Sequence, residues 1–314
     1  MKKIKLLVTT GDFSRYISPD FHYLLTEVSK LTDLIVWHKS GDIHEILNTL
    51  NVRPDFIFIN EFGESNSPTI TGLESLDIPY AVYLYDIHHR LEERKSALDR
   101  MNVKYIFSHY RDKFYEWYSE FSDKMYWLPQ HANTKIFKDY ALPKEIDYLI
   151  MGAVHHRVYP LRYKIIETMQ NKPGFVYHQH PGYRNIEEHE KGKVFAGEKY
   201  AKEINKAKIF FTCDSQYKYP IAKYFEVPAC NTLLLASSSK ELIDLGFVPD
   251  VHFVSINEEN FEEKAAYYLR NEEKRKKIAK NGFQLVHRKH STSQRALELV
   301  TMIEKILKNE RKKK

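Results

Sequence analysis

The chain has 314 residues, 43% of them hydrophobic and only 11 glycines, which is material for more than one buried core and little for linkers. Lysine and arginine total 48 against 42 acidic residues, a net charge of +6; with no nucleic-acid-binding motif present, that near balance weighs against a nucleic-acid partner. The only two cysteines, Cys213 and Cys230, lie in apolar surroundings, which excludes a disulfide framework and implies a reducing, cytoplasmic setting.

The start Met1-Lys2-Lys3-Ile4-Lys5-Leu6-Leu7-Val8 is too short in apolar run for a signal peptide and leads straight into Thr9-Thr10-Gly11-Asp12, so it reads as a first strand. Ser18-Pro19-Asp20 opens a helix, with serine as cap, proline in the first turn, and Leu24, Leu25, Val28 and Leu31 on its inner face. Strands at 34–37, 55–60, 80–85 and 105–107 alternate with helices, one beginning at Ile43 and another carrying Phe114, Trp117 and Tyr118. Leu128-Pro129 closes this half, and the boundary is placed near Ala141-Leu142-Pro143-Lys144, giving domains of residues 1–141 and 142–314. The second half starts with a strand at 147–151 that ends in Gly152-Ala153, then a helix from Tyr159-Pro160 and strands at 175–178 and 209–212. A helix carrying Glu226, a buried strand at 233–235, a helix at 240–246, a strand at 251–254 and charged helices from 258 onward complete it. This alternation predicts an α/β fold with a parallel, doubly wound sheet in each half. No stretch approaches the length of a membrane span. The lysine-rich tail, residues 308–314, reads either as a frayed, solvated end or as a weak contact with an anionic membrane surface.

Two stretches carry a family resemblance. One is Phe225-Glu226-Val227-Pro228-Ala229-Cys230 with Leu233-Leu234-Leu235, followed by Glu241-Leu242 and Val251-His252-Phe253. The other is Ala279-Lys280-Asn281-Gly282 with His290-Ser291-Thr292-Ser293-Gln294-Arg295. In this order they resemble the C-terminal half of CgeB-like, group-1-related glycosyltransferases, over roughly residues 105–307. The resemblance implies a GT-B architecture: two Rossmann-like, doubly wound domains facing a cleft, a nucleotide-sugar held mainly by the C-terminal one, and the last helix, near 294–307, packing back on the N-terminal domain. It implies a metal-independent, hexosyltransferase-type enzyme moving a sugar from a nucleotide-sugar, a UDP-sugar, to a hydroxyl of a glycan, lipid-linked or protein acceptor. The nucleotide-sugar is then a co-substrate and no other cofactor is expected. A non-catalytic nucleotide- or glycan-binding protein of the same fold is the alternative.

The donor side is read from three segments. Gly152-Ala153-Val154-His155-His156-Arg157 joins a strand end to a helix N-terminus, where free amides and the helix dipole suit a diphosphate. Gly152 permits close backbone approach, and His156, Arg157 or Arg162 add charge-assisted bonds, unless they are simply loop and solvated helix. The glycine fingerprint of dinucleotide binders is absent, which disfavours nicotinamide and flavin cofactors. Glu226 either accepts hydrogen bonds from a ribose diol or is a solvated helix residue. In retaining group-1 enzymes a Glu-x7-Glu pair occupies this stretch; Glu226 matches the second position, but the first is Lys218, which cannot accept bonds from sugar hydroxyls. Lys218 and Lys223 are instead candidates for neutralising phosphate. Ser215, Asn231 and Thr232 complete the donor set. Tyr183 is positioned to stack on the base, unless its Pro181-Gly182 neighbours only make a turn.

On the acceptor side, Tyr85-Asp86-Ile87-His88-His89 follows a strand. Asp86, then His88, are the candidate bases for the acceptor hydroxyl; the other reading makes Asp86 a helix cap. Gly11, Asp12 and Glu61 end neighbouring strands, and His131 joins them as a candidate acceptor contact. The histidines show no His-Glu-x-x-His or Cys-x-x-Cys spacing, so no metal is expected.

Overall fold

The computed structural model describes residues 3–61 and 67–313; Met1, Lys2 and Lys314, which enter the readings of the two ends above, lie outside them. The chain divides into two units. The first comprises residues 1–14, 21–129 and 295–314, the second residues 15–20 and 130–294.

In chain order the first unit contains β1 (Lys5–Thr9), α1 (Asp20–Leu31), β2 (Asp33–Trp37), β3 (Gly41–Asp42), α2 (Ile43–Leu50) and β4 (Phe56–Asn60). It continues with β5 (Ile70–Thr71), β6 (Tyr80–Leu84), α3 (Leu91–Arg100), β7 (Ile106–Ser108), α4 (Arg111–Trp117) and β8 (Met125–Trp127). Six strands form a parallel sheet in the order β2-β1-β4-β6-β7-β8, while β3 pairs with β5 apart from it. Side chains two apart share a face. Leu6 and Val8, Phe56 and Phe58, and Ala81 and Tyr83 therefore form one apolar surface, packed by Phe21, Leu24, Leu25 and Val28 of α1. Leu31, expected on that inner face, is exposed at the end of the helix.

The second unit contains β9 (Ile146–Gly152), α5 (Pro160–Met169), β10 (Phe175–Gln179), α6 (Gly197–Asn205), β11 (Ala207–Thr212) and α7 (Lys223–Ala229). It ends with β12 (Leu233–Ala236), α8 (Lys240–Asp244), β13 (Val254–Ser255), α9 (Phe261–Arg270) and α10 (Glu272–Lys289). Its five strands are also parallel, in the order β10-β9-β11-β12-β13. Tyr148, Ile150, Ile209, Phe211, Leu233 and Leu235 face Leu161 and Ile165 of α5, Phe261 of α9 and Ile278 of α10. Gly282 has a steric reason: a Cβ there would lie 2.5 Å from the His252 carbonyl oxygen and 3.1 Å from Pro228 Cβ, so α10 needs a residue without one.

The last helix, α11 (Thr292–Lys313), belongs to the first unit from Arg295 onward. Ala296, Leu299, Val300, Ile303 and Leu307, three and four apart, join the same core as α1. The helix continues through Lys313, and the Tyr105 hydroxyl donates to Glu310 at 2.7 Å, so the basic end is an anchored helix rather than a frayed tail. No helix among the described residues is long and apolar enough to cross a membrane.

Two boundaries differ from the sequence reading. The units divide at Pro129/Gln130 rather than at 141/142. The Asn205 amide explains why: it donates to Lys138 O at 2.9 Å and its oxygen accepts Tyr140 N–H at 2.8 Å, binding that segment to α6. The strand expected at 251–254 is only Val254–Ser255, because His252 N–H and Val251 N–H both turn back to Val248 O.

Candidate functional site

In the second unit the longest strand, β9, ends at Gly152, whose φ of +134° is open to glycine and costly for other residues. A Cβ there would lie 2.9 Å from Lys223 Cε, 3.2 Å from Lys223 Nζ and 3.5 Å from Arg162 Nη1. Two cationic side chains therefore converge on bare backbone at the carboxyl end of a central strand. Arg162 is only 2% exposed, which removes the solvated-helix alternative. It donates through Nη1 to Ala153 O at 2.7 Å and through Nη2 to Thr212 Oγ1 at 3.1 Å and Cys213 O at 3.4 Å, and it lies 3.9 Å over the Tyr159 ring. All these partners are uncharged, and its buried Nε has none. Burial, with Arg162 as a like charge beside it, brings the Lys223 ammonium down to about 8, against opposing pulls from Glu226 and Asp20. His180 is held down to about 4 by burial and by both cations, which places it in the same group.

Glu226, far from being a solvated helix residue, is 8% exposed. Its Oε2 accepts from the Tyr200 hydroxyl at 3.3 Å, and burial, with Asp20 adding to it, lifts the carboxyl to about 7. Asp20 reaches this group through the short segment 15–20. Ile17 N–H bonds Arg184 O at 3.0 Å, Ile186 N–H bonds Arg15 O at 2.7 Å, and Tyr16 bridges Asn185. Burial lifts the Asp20 carboxyl to about 6, opposed by Lys223. The site thus brings together Gly152, Arg162, Lys223 and Glu226 from the expected set, and adds Asp20, His180 and Tyr200. Positive charge on a glycine-floored strand end, with a carboxylate alongside, can hold a diphosphate and a vicinal diol.

The other donor candidates are spread around it. His156 and Arg157 are exposed in the turn before α5, with the His156 ring parallel to that of His155. Tyr183 is 67% exposed, its ring 4.4 Å from that of His180. Ser215 is buried in a turn, where Oγ accepts Tyr217 N–H and the carbonyl accepts Lys218 N–H; Lys218 itself is exposed. Asn231 and Thr232 are a correction. They precede β12 and so lie at its amino end, opposite the carboxyl ends that gather the cations. There Asn231 donates to Asp139 at 2.8 Å, and Thr232 Oγ1 donates to Ile204 O and accepts from Lys144. Asn231 has a left-handed φ of 53°. Asn231→Gly, which keeps that backbone, is expected to leave nucleotide affinity unchanged in calorimetry; a loss would return this turn to the site.

In the first unit Gly11 and Asp12 follow β1, Glu61 follows β4, and Asp86 and His88 follow β6, three adjacent parallel strands whose carboxyl ends they share. Asp86 is exposed and does not cap α3, whose N-cap position is Arg90. His88 is half-buried, and burial holds its imidazole below the ordinary range against the pull of Asp86. Asp12 accepts Ser14 N–H at 2.9 Å, and the Ser14 bonds lower its carboxyl. Two acceptor candidates are corrected. Glu61 is 7% exposed, paired with Arg94 at 3.0 Å and accepting Tyr85 N–H, so its carboxylate is committed to the interior. His131 belongs to the second unit, buried against Thr292 Oγ1 at 2.9 Å beside the Ala132–Ser291 bridge. Among the described residues no group of three or more His, Cys, Asp or Glu is placed to hold a metal ion.

Residues 157–301 match a family model described as glycosyl transferase-like. The matched stretch is less than half of the chain. It contains Arg162, Lys223 and Glu226. A search of curated proteins by sequence finds no match. Among solved structures the chain is similar to sucrose-phosphate synthase from Thermosynechococcus elongatus, at 12% identity and a TM-score of 0.68, covering 97% of this chain and 99% of that one. It is similar to a glycosyltransferase from Rickettsia africae, at 12% identity and 0.61, with 98% and 99% covered. It is similar also to Anabaena HepE, solved with UDP and glucose, at 9% identity and 0.63, with 96% and 99% covered. At such identities the likeness carries the fold, and that fold is GT-B.

Proposed function

We propose that the protein is a CgeB-like glycosyltransferase that takes a sugar from a UDP-sugar and passes it to an acceptor hydroxyl. The observation that supports this most is the convergence of Arg162 and Lys223 on Gly152. As the bond between anomeric carbon and phosphate oxygen breaks, negative charge grows on the leaving diphosphate. Two fixed, partly desolvated cations stabilise that charge, work that a divalent ion does in other enzymes. Glu226, held by Tyr200, accepts hydrogen bonds from the ribose diol. Asp86 and His88 are the proposed bases. His88 is neutral at pH 7 because burial disfavours its charged form, and a neutral imidazole can take the hydroxyl proton. UDP in the HepE structure is consistent with a uridine diphosphate donor.

A thermal-shift series with uridine, UMP, UDP and UDP-sugars tests the reading. Stabilisation should appear only once the second phosphate is present, about 2.7 kcal/mol at a hundred times the Kd. Gly152→Ala strains the backbone and pushes the Lys223 tip aside, and should weaken UDP about tenfold while the protein still folds. No stabilisation by any UDP compound, or wild-type affinity in Gly152→Ala, would overturn it. UDP binding without sugar transfer or donor hydrolysis would favour a non-catalytic protein of the same fold, a reading that Lys218 motivates.

A further inference from the structure

We infer that Asp214, together with Ser238 on the neighbouring strand end, recognises the donor's sugar hydroxyls, taking the role for which Lys218 has no acceptor. The inference rests on the nucleotide-sugar reading above.

Thr212 and Ala236 are the last paired residues of β11 and β12. Asp214 lies two residues past the end of β11 and Ser238 two residues past the end of β12. The continuation is held by hydrogen bonds: Asp214 N–H donates to Ser237 Oγ at 2.9 Å, and that hydroxyl donates to Asp214 Oδ1. One carboxylate oxygen is thus fixed and the other is not. Asp214 is 5% exposed, yet its buried Oδ2 has no hydrogen-bond partner, and neither has the buried Ser238 hydroxyl. Lys218 Nζ stands 3.9 Å from Oδ2, beyond hydrogen-bond range, on a side chain 67% exposed. Buried polar atoms left without partners in a folded protein call for a reason, and a ligand is one. Burial lifts the Asp214 carboxyl, as expected of a group awaiting donors.

The location suits the sugar. Arg162 spans the ends of β9 and β11, bonding Ala153 O on one and Thr212 Oγ1 and Cys213 O on the other. Gln216 N–H ties the loop after β11 to Val158 O at 2.8 Å. A diphosphate on Gly152 therefore has Asp214 on its β11 side and His180 with Tyr183 on its β10 side. A base stacked toward β10 leaves the other end of the ligand, the sugar, toward β11 and β12. A buried carboxylate oxygen and a buried serine hydroxyl without partners, past the ends of two neighbouring strands, suit a pyranose that presents neighbouring hydroxyls. Lys218 is the movable cover: its ammonium swings to solvent as the hydroxyls arrive.

Calorimetry with UDP, UDP-glucose, UDP-galactose and UDP-N-acetylglucosamine, on wild type, Asp214→Asn, Ser238→Ala and Lys218→Ala, tests this. In the wild type at least one UDP-sugar should bind more tightly than UDP. Asp214→Asn should keep UDP affinity within about twofold and cut the sugar's advantage about tenfold. Ser238→Ala, the milder change, should cut it severalfold, and Lys218→Ala should preserve it. If wild type binds no UDP, the nucleotide reading itself fails. If UDP binds but no sugar adds affinity, or if Asp214→Asn and Ser238→Ala keep the full advantage, the Asp214 assignment is overturned and the nucleotide reading stands.

Discussion

Lys223→Met should lower affinity for UDP by about a hundredfold and, at pH 7, raise the melting temperature of the ligand-free protein. The two effects have one cause. Burial and the neighbouring Arg162 hold the Lys223 ammonium down to about 8, so its charged form is disfavoured in the folded state. A depressed lysine contributes stability above its unfolded value of 10.5 and loses it as pH falls through 8; at pH 7 the group is a net cost. Methionine fills similar space and removes that cost, while Asp20 and Glu226, already lifted by burial, take up protons when the cation goes. A bound diphosphate is what makes the charge worthwhile. Charge-assisted bonds in such a site contribute about 1.5–3 kcal/mol, or one to two powers of ten in affinity. Titration calorimetry and thermal melts read both quantities. Wild-type UDP affinity in the variant would remove Lys223 from the site, and a large fall in melting temperature would mean that its role is structural.

Donor affinity should also follow a bell against pH with its crest between about 7 and 8. Glu226 is raised to about 7, and the ribose diol needs its ionised form, so affinity climbs as pH rises to that value. Lys223 sits at about 8, and the diphosphate needs its protonated form, so affinity declines above it. Each limb should approach a tenfold change per pH unit. Glu226→Gln should flatten the acid limb and leave the alkaline one. For folding alone the Glu226 sign is opposite: a raised carboxyl contributes stability below 4.5 that is lost as pH climbs through 7. A flat affinity profile between pH 6 and 9 would show that neither group meets the nucleotide.

Ten strands were readable because each is a short apolar run closed by polar or glycine residues, and the structure shifts most of them by one or two residues; the short β3 and β5 carry no such run of their own, and neither they nor β8 were read. Gly152 stood out because a glycine at the end of such a run has few other reasons to be there. Asn231 and Thr232 were misplaced for a reason also present in the chain: a residue that precedes a strand lies at the amino end, away from the edge where Gly152 and Asp214 lie. Arg162 was legible as a phosphate candidate but not as a buried one, since nothing in Pro160-Leu161-Arg162-Tyr163 says which face is covered; its burial depends on Thr212 and Cys213, some fifty positions later. Asp20 was hidden by greater distance. No local pattern announces that residues 15–17 will pair with 184–186 and carry an acid to the cations.

That exchange of segments bears on how the molecule is made. A ribosome that has released the first 129 residues has made the first unit's sheet without Ala296, Leu299, Val300 and Ile303, which follow more than 160 residues later. The apolar face that α1 and α11 share in the folded protein is therefore only partly covered until those residues have been made. Chains stalled or truncated before position 296 should be held by chaperones or lost to aggregation rather than persist as a half-sized product.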